Sequence, residues 1–187
     1  MGKNEELPQI EGYVPDKKTI SILAANIWAI LLMVVAGIFG FVAIYALRGG
    51  FSDLHSWSGV ILLLAIIAAL VVHELIHGIT WMILVGKGFS HVSFGLMKGA
   101  VYCHFDAPMI KSQYVIGALM PLVLVGVVPW IAGIAAGSLL WMAIGAIMIG
   151  GAAGDIMIVW TIRKEPASAL VYDHPNEAGC YVYHKND

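Results

Sequence analysis

Charge is scarce in this chain. Of its 187 residues only 12% are Asp, Glu, Lys or Arg, against 60% hydrophobic, and the mean hydropathy is +0.86. Soluble domains sit near a quarter charged and about half apolar, so the composition excludes an ordinary water-soluble domain and indicates a membrane protein. The net charge is −2 with no basic block, which leaves nothing to attract nucleic acid. Cysteine is nearly absent: Cys103 and Cys180 provide no disulfide framework and lack the short paired spacing of a zinc ribbon. A cleaved signal peptide is not expected either. The first 18 residues are polar and contain two prolines, and the apolar run after them is about twice a signal-peptide core, as a retained first span would be.

What the chain has instead is long apolar runs. A helix needs about 20 residues to cross a bilayer. The first run extends from Thr19 to Leu47 and the second from about Trp57 to Val85; a third begins near Tyr114 and a fourth ends near Ile162. The last two meet at AAGS, residues 135–138, and are together too long for one bent span, so a tight turn is expected near Gly137. Lys3, Lys17 and Lys18 lie before the first span, Lys87, Lys98 and Lys111 in the 86–113 loop, and Arg163, Lys164 and Lys185 after the fourth. The first loop has only Arg48. The positive-inside rule puts both termini and the 86–113 loop in the cytoplasm, as an even number of spans requires.

The expected fold is an all-α membrane protein of four transmembrane helices. Its parts are a cytoplasmic tail over 1–18, the helical domain over 19–165 and a second cytoplasmic tail over 166–187. HVSFGLM and AVYCHF, separated by Lys98 and Gly99, read as a short β-hairpin in the 86–113 loop, and SALVY and CYVYH flanking HPNEAG as a second in the tail. Gly133 and Gly137, then Gly150 and Gly154, are four apart, a spacing that lets helix backbones approach closely in lipid. It permits oligomers without demanding them, and the oligomeric state stays open.

One stretch of the second span, VVHELIHGITW over 71–81, carries polar groups where they are costly. His73 and His77 are four apart, on one face of a helix and one turn from each other, so two imidazoles can grip one metal ion. Glu74 is turned about a quarter-circle away and flanks such an ion as a general base. This is the H-E-x-x-H arrangement of zinc metalloproteases. Zinc takes imidazole and carboxylate ligands tetrahedrally, keeps a position for water, and lowers the pKa of that water to roughly 7. An ionisable group at the centre of a spanning helix costs about 2.5–3.5 kcal/mol on insertion scales. Two packed core histidines with Glu74 paired to a neighbour would carry that penalty for no return.

Two histidines leave a catalytic zinc one protein ligand short. Asp155, in GGAAGDIMIVW, is the acidic residue set deep in another predicted helix. It lies about two turns before Arg163, and the histidines two to three turns before Gly86. At about 1.5 Å per residue the three sit at similar depth. His104 and Asp106, in CHFDAP, are competing ligands whose other reading is a solvated turn or site wall. His55, His91, His174 and His184 read as solvated, Asn26 as an interhelical hydrogen bond or a substrate-positioning group, and the Met and Trp residues of the spans as packing or lipid-facing groups. The loop hairpin offers a strand edge to which an extended substrate peptide can add.

These residues resemble a known pattern. HELIHG on a spanning helix, a β-containing loop, and a later span with a near-end Asp are similar to the site-2 protease type of intramembrane zinc metalloprotease. The likeness is greater to a small bacterial and archaeal membrane family of zincin peptidases, in which the HE-x-x-HG helix is followed by a stretch like CHFDAPMIKSQYVIGALMP and a late Gly-Asp pair. The resemblance covers most of residues 57–165. It implies His73, His77 and Asp155 as zinc ligands and Glu74 as catalytic acid/base, in a multi-pass protein of the prokaryotic cell membrane. One position departs: site-2 proteases usually place Gly after the ligand Asp, whereas here Gly154 precedes it and Ile156 follows.

The function expected is that of an intramembrane zinc metalloendopeptidase acting on membrane-associated proteins or peptides near the cytoplasmic face. The alternative is a non-catalytic metal-binding membrane protein, such as a metal sensor or small transporter. A transporter normally has broken helices, internal repeats and polar residues on several spans. Here the polar residues converge on one site, and Glu74 has no purpose in a simple metal site.

Overall fold

A computed structural model describes residues 7–53, 58–97 and 100–186. Four helices, each long and apolar enough to cross a membrane, organise it: α1 (Ile22–Arg48), α2 (Ser58–Val85), α3 (Lys111–Ala136) and α4 (Leu139–Thr161). The boundaries follow local chemistry. Ser21 caps α1 by accepting from the Ala24 N–H at 3.4 Å, and Gly49 ends it at φ 72°. The turn expected near Gly137 is there, in the left-handed conformation at φ 71°, which glycine adopts without a steric penalty. Ser138 then caps α4 by accepting from the Trp141 N–H. Asp53 reaches across from the first loop to accept from the N–H groups of Leu139 and Leu140 at 2.9 and 3.2 Å.

α3 is not uniform. Pro121 lies inside it, and the backbone winds as a wider π turn over Leu122–Val127 before the α-helix resumes over Val128–Ala136. α4 bends at Ala152, where ψ moves to 7°, and resumes at Ala153. α1 packs on α4 and the distal part of α3, and α2 packs on α3 and α4. The glycines spaced four apart divide their roles. A Cβ on Gly133 would meet the Met142 backbone nitrogen at 2.2 Å, and one on Gly150 the Ala29 carbonyl oxygen at 2.6 Å, so both mark close helix contacts. Gly137 makes the turn, and Gly154 faces open space with only Ile20 at 4.0 Å.

The β structure gathers at one end of the helices. β2 (Val92–Met97) and β3 (Ala100–Phe105) pair antiparallel as the expected hairpin, Phe94 opposite Cys103; their connecting residues Lys98 and Gly99 lie outside the described ones. The tail hairpin is present as β5 (Leu170–Asp173) and β6 (Gly179–Lys185). The expectation of an all-α class with β structure only in hairpins is corrected here. β1 (Tyr13–Thr19) pairs with β6 and the short β4 (Met109–Ile110) with β5, making a four-stranded antiparallel sheet in the order β1-β6-β5-β4. The sheet thus joins the segments before α1, before α3 and after α4. Its buried face, with Val171 and Val182, shares a core with Trp81 of α2, Phe105 of β3, and Tyr114 and Ala118 of α3.

Candidate metal centre

His73 and His77 project from α2 toward the bend of α4, and both are buried. Asp155 stands in the first turn of the resumed helix after Ala152 and completes a group of three. His73 Nε2 lies 3.1 Å from His77 Nε2 and 3.2 Å from Asp155 Oδ2, and His77 Nε2 lies 3.5 Å from Asp155 Oδ1. A tetrahedral zinc with bonds of about 2.0–2.1 Å places its ligand atoms about 3.3–3.4 Å apart. The imidazole pair, and each ring with its nearest carboxylate oxygen (Oδ2 for His73, Oδ1 for His77), are spaced close to that value, so the donor set is compatible with the ion in spacing as well as in chemistry.

The tautomer of His77 is determined by its neighbours. Its Nδ1 lies 2.9 Å from the Gly117 carbonyl of α3. A carbonyl only accepts, so Nδ1 carries the proton and Nε2 presents a lone pair to the group of three. The imidazole stacks on Trp81, one turn further along α2, at 5.3 Å between centroids and 18° between planes. His73 Nδ1 is buried and meets no hydrogen-bonding partner among the described residues.

Glu74 faces a different element. Its carboxylate lies near the backbone of Cys103 on β3. β3 reaches α2 because Gly78 has no side chain: a Cβ there would lie 2.6 Å from Val92 and 3.3 Å from the Cys103 sulfur. A cavity of about 230 Å³ opens in front of these groups. His73, Glu74 and His77 form one wall, Ala25, Asn26 and Ala29 of α1 another, and Asp155 sits at its back.

The remaining candidates separate from this group. His104 is not a solvated turn residue but is buried, with Nδ1 3.2 Å from Asp173 Oδ2 on β5. Asp173 also accepts from the Tyr114 hydroxyl at 3.3 Å, tying β3, α3 and β5 together. Asp106 accepts from the Tyr172 hydroxyl at 2.6 Å and stays outside the metal group. His174, also expected to be solvated, is buried at the β5–β6 turn. Its Nδ1 accepts from the N–H groups of Asn176 and Glu177, and its ring stacks on Tyr181. His91 is half-buried beside Phe105, His184 is exposed near Asp16, and His55 lies outside the described residues. Asn26 makes no interhelical hydrogen bond among the described residues and lines the cavity instead. Burial pushes the Cys103 thiol up and the Cys180 thiol up to about 12, and neither belongs to the group of three.

Sequence reading did not single out Gly117, Pro121 or Trp81. A signal was present: a proline within a spanning run always frees the carbonyl four residues earlier, here that of Gly117. A family model described as "Putative zincin peptidase" matches residues 66–170, more than half of the chain and all of the residues grouped above. No curated protein and no solved structure matches the chain.

Proposed function

The chain belongs to this zincin peptidase family, and from that premise we propose that it is an intramembrane zinc metalloendopeptidase with His73, His77 and Asp155 as ligands and Glu74 as general base. The observation that carries the proposal is the convergence of two imidazoles and one carboxylate from separate helices at zinc-compatible spacing, beside a glutamate that ligates nothing. Four long apolar helical runs support the membrane setting. So do their outer faces, where Leu23, Ile38, Leu64 and Ile83 are each more than half exposed; in water such a surface would aggregate. We read both termini and the sheet-bearing end as cytoplasmic, in a prokaryotic cell membrane, from the positive-inside rule.

Zinc supplies a Lewis acid that polarises the scissile carbonyl and acidifies water. The protein does the rest. Gly117 holds the His77 ring in the tautomer whose Nε2 can ligate, and Asp155 balances part of the cation's charge from across the helix interface. Glu74, on the cavity wall beside β3, accepts a proton from the attacking water and passes it to the leaving nitrogen. The C–N bond breaks as hydroxyl adds to the carbonyl carbon and hydrogen to the amine, so atoms balance without a further reactant.

β3 gives the substrate a place to lie. The N–H of Phe105 points away from β2, to Asp173. The two-residue alternation of a strand therefore puts the Val101 N–H and C=O on the same side, along the cavity. A peptide of a membrane-associated protein, unwound and extended, adds there as a strand. The test is cleavage of a model membrane-anchored substrate by wild type and Glu74→Gln. Hydrolysis by wild type and none by the variant supports an endopeptidase. Equal rates, or no hydrolysis by zinc-loaded wild type with any membrane substrate, favour the sensor or transporter reading.

A further inference from the structure

The reading of His77 as a zinc ligand raises the question of what holds its ring, and the answer lies in α3. In an unbroken helix the carbonyl of residue 117 would accept from the N–H of residue 121. Residue 121 is proline and has no N–H to give. The next donor along, Leu122, turns to the Leu119 carbonyl instead. The Gly117 oxygen is left for a partner outside the helix, and that partner is His77 Nδ1 at 2.9 Å.

A second contact works on the ring's face. Trp81 is buried between His77 and Tyr114, stacked on the first at 5.3 Å and on the second at 5.5 Å, with interplanar angles of 18° and 17°. Its indole N–H donates to the Tyr114 carbonyl at 3.1 Å, which keys the wedge to α3. The wedge fits because residue 117 is glycine: a Cβ there would lie 2.0 Å from the indole nitrogen. Gly117 thus serves twice, offering its oxygen to His77 and its empty side to Trp81.

Resting on the proposed zinc site, we infer that Pro121 and Trp81 are positioning residues for His77: the proline by leaving a helix carbonyl open to take the imidazole proton, the tryptophan by fixing the ring plane. Neither belongs to the group of metal ligands. Groups that orient a metal-bound histidine typically change metal affinity by about 10–100-fold when removed.

Pro121→Ala gives the cleanest test, because two roles predict opposite signs. Alanine restores a donor that competes for the Gly117 carbonyl, so zinc affinity falls about tenfold, measured by chelator competition on purified full-length protein in detergent micelles. Alanine also repairs the helix, so the melting temperature of the metal-free protein is unchanged or rises. Zinc affinity equal to wild type, or a loss matched by a fall in metal-free stability, overturns the role of Pro121. For the wedge, Trp81→Ala loses about tenfold or more in zinc affinity and Trp81→Phe, which keeps a stacking ring, recovers most of it. Equal zinc binding in both variants and wild type overturns the role of Trp81. A wild type that holds no zinc sinks the proposed function rather than this inference, which the ring nitrogen resonances of His77 then decide. Recorded at a pH where the ring is neutral, they report a single Nδ1-protonated tautomer in wild type and a mixture in Pro121→Ala; identical tautomer populations refute it.

Discussion

Glu74 on α2 and Cys103 on β3 line the same cavity, and β3 approaches α2 so closely that a Cβ on Gly78 would lie 3.3 Å from the Cys103 sulfur. The Glu74 side chain, proposed as general base, therefore stands beside the strand that lines the cavity. Shortening that side chain tests the link. Glu74→Asp keeps the charge but withdraws the carboxylate by one methylene, more than 1 Å. A misplacement of that size can cost about 100-fold. We expect kcat for a model substrate to fall by at least about that factor while bound zinc stays at the wild-type level.

Edge pairing at β3 has its own test. Val101→Pro removes one N–H from the free side of the strand and leaves the pairing with β2 intact, since an edge strand tolerates proline where its N–H faces outward. One lost hydrogen bond of about 1 kcal/mol lowers kcat/KM about fivefold. Zinc content should not change. A substrate that docks elsewhere would show no loss.

Stability of the terminal sheet should depend on pH through His174. Burial holds its imidazole below the ordinary value of 6.5, and protonating Nδ1 would displace the N–H groups of Asn176 and Glu177. With the folded pKa lower than the unfolded one, the unfolded chain binds more protons between the two values. The contribution is therefore complete above about pH 6.5 and is lost as pH falls from there through the folded pKa. The melting temperature should drop across that window in wild type and drop less in His174→Asn, whose side-chain oxygen can still accept from the turn.

The α3–α4 contact leaves no room for a methyl group. A Cβ on Gly145 would stand 2.4 Å from the Trp130 nitrogen and 2.6 Å from its Cα, both backbone atoms that cannot turn aside. Gly145→Ala should destabilise the protein by about 1–3 kcal/mol, as overpacked cores do, and thermal unfolding in micelles measures it. Gly151→Ala, at a position open to the cavity, should leave the melting temperature near wild type.

The elements that local chemistry writes into the chain were legible. Apolar runs marked the four helices, Gly137 the turn between the last two, and alternating residues the β2–β3 and β5–β6 hairpins. Strand β1 was not: Tyr13–Thr19 includes Pro15, Asp16, Lys17 and Lys18, and only the distant β6 makes it a strand. His104 and His174 looked solvated because their burial rests on Asp173 and on the β5–β6 turn, partners invisible to local pattern. Within the candidate site, the spacing of His73 and His77 and the rarity of an aspartate deep in an apolar run, Asp155, pointed to one another. The hold of Gly117 on His77 did not show, since it joins two helices through a main-chain atom.

Metal analysis of purified protein tests the central claim most directly: that one zinc is gripped by side chains of both α2 and α4. After brief chelator treatment the account predicts one zinc per chain in wild type and in Glu74→Gln, and little or none in His73→Ala and Asp155→Asn. A wild type without zinc, or an Asp155→Asn variant that keeps its full complement, would contradict it.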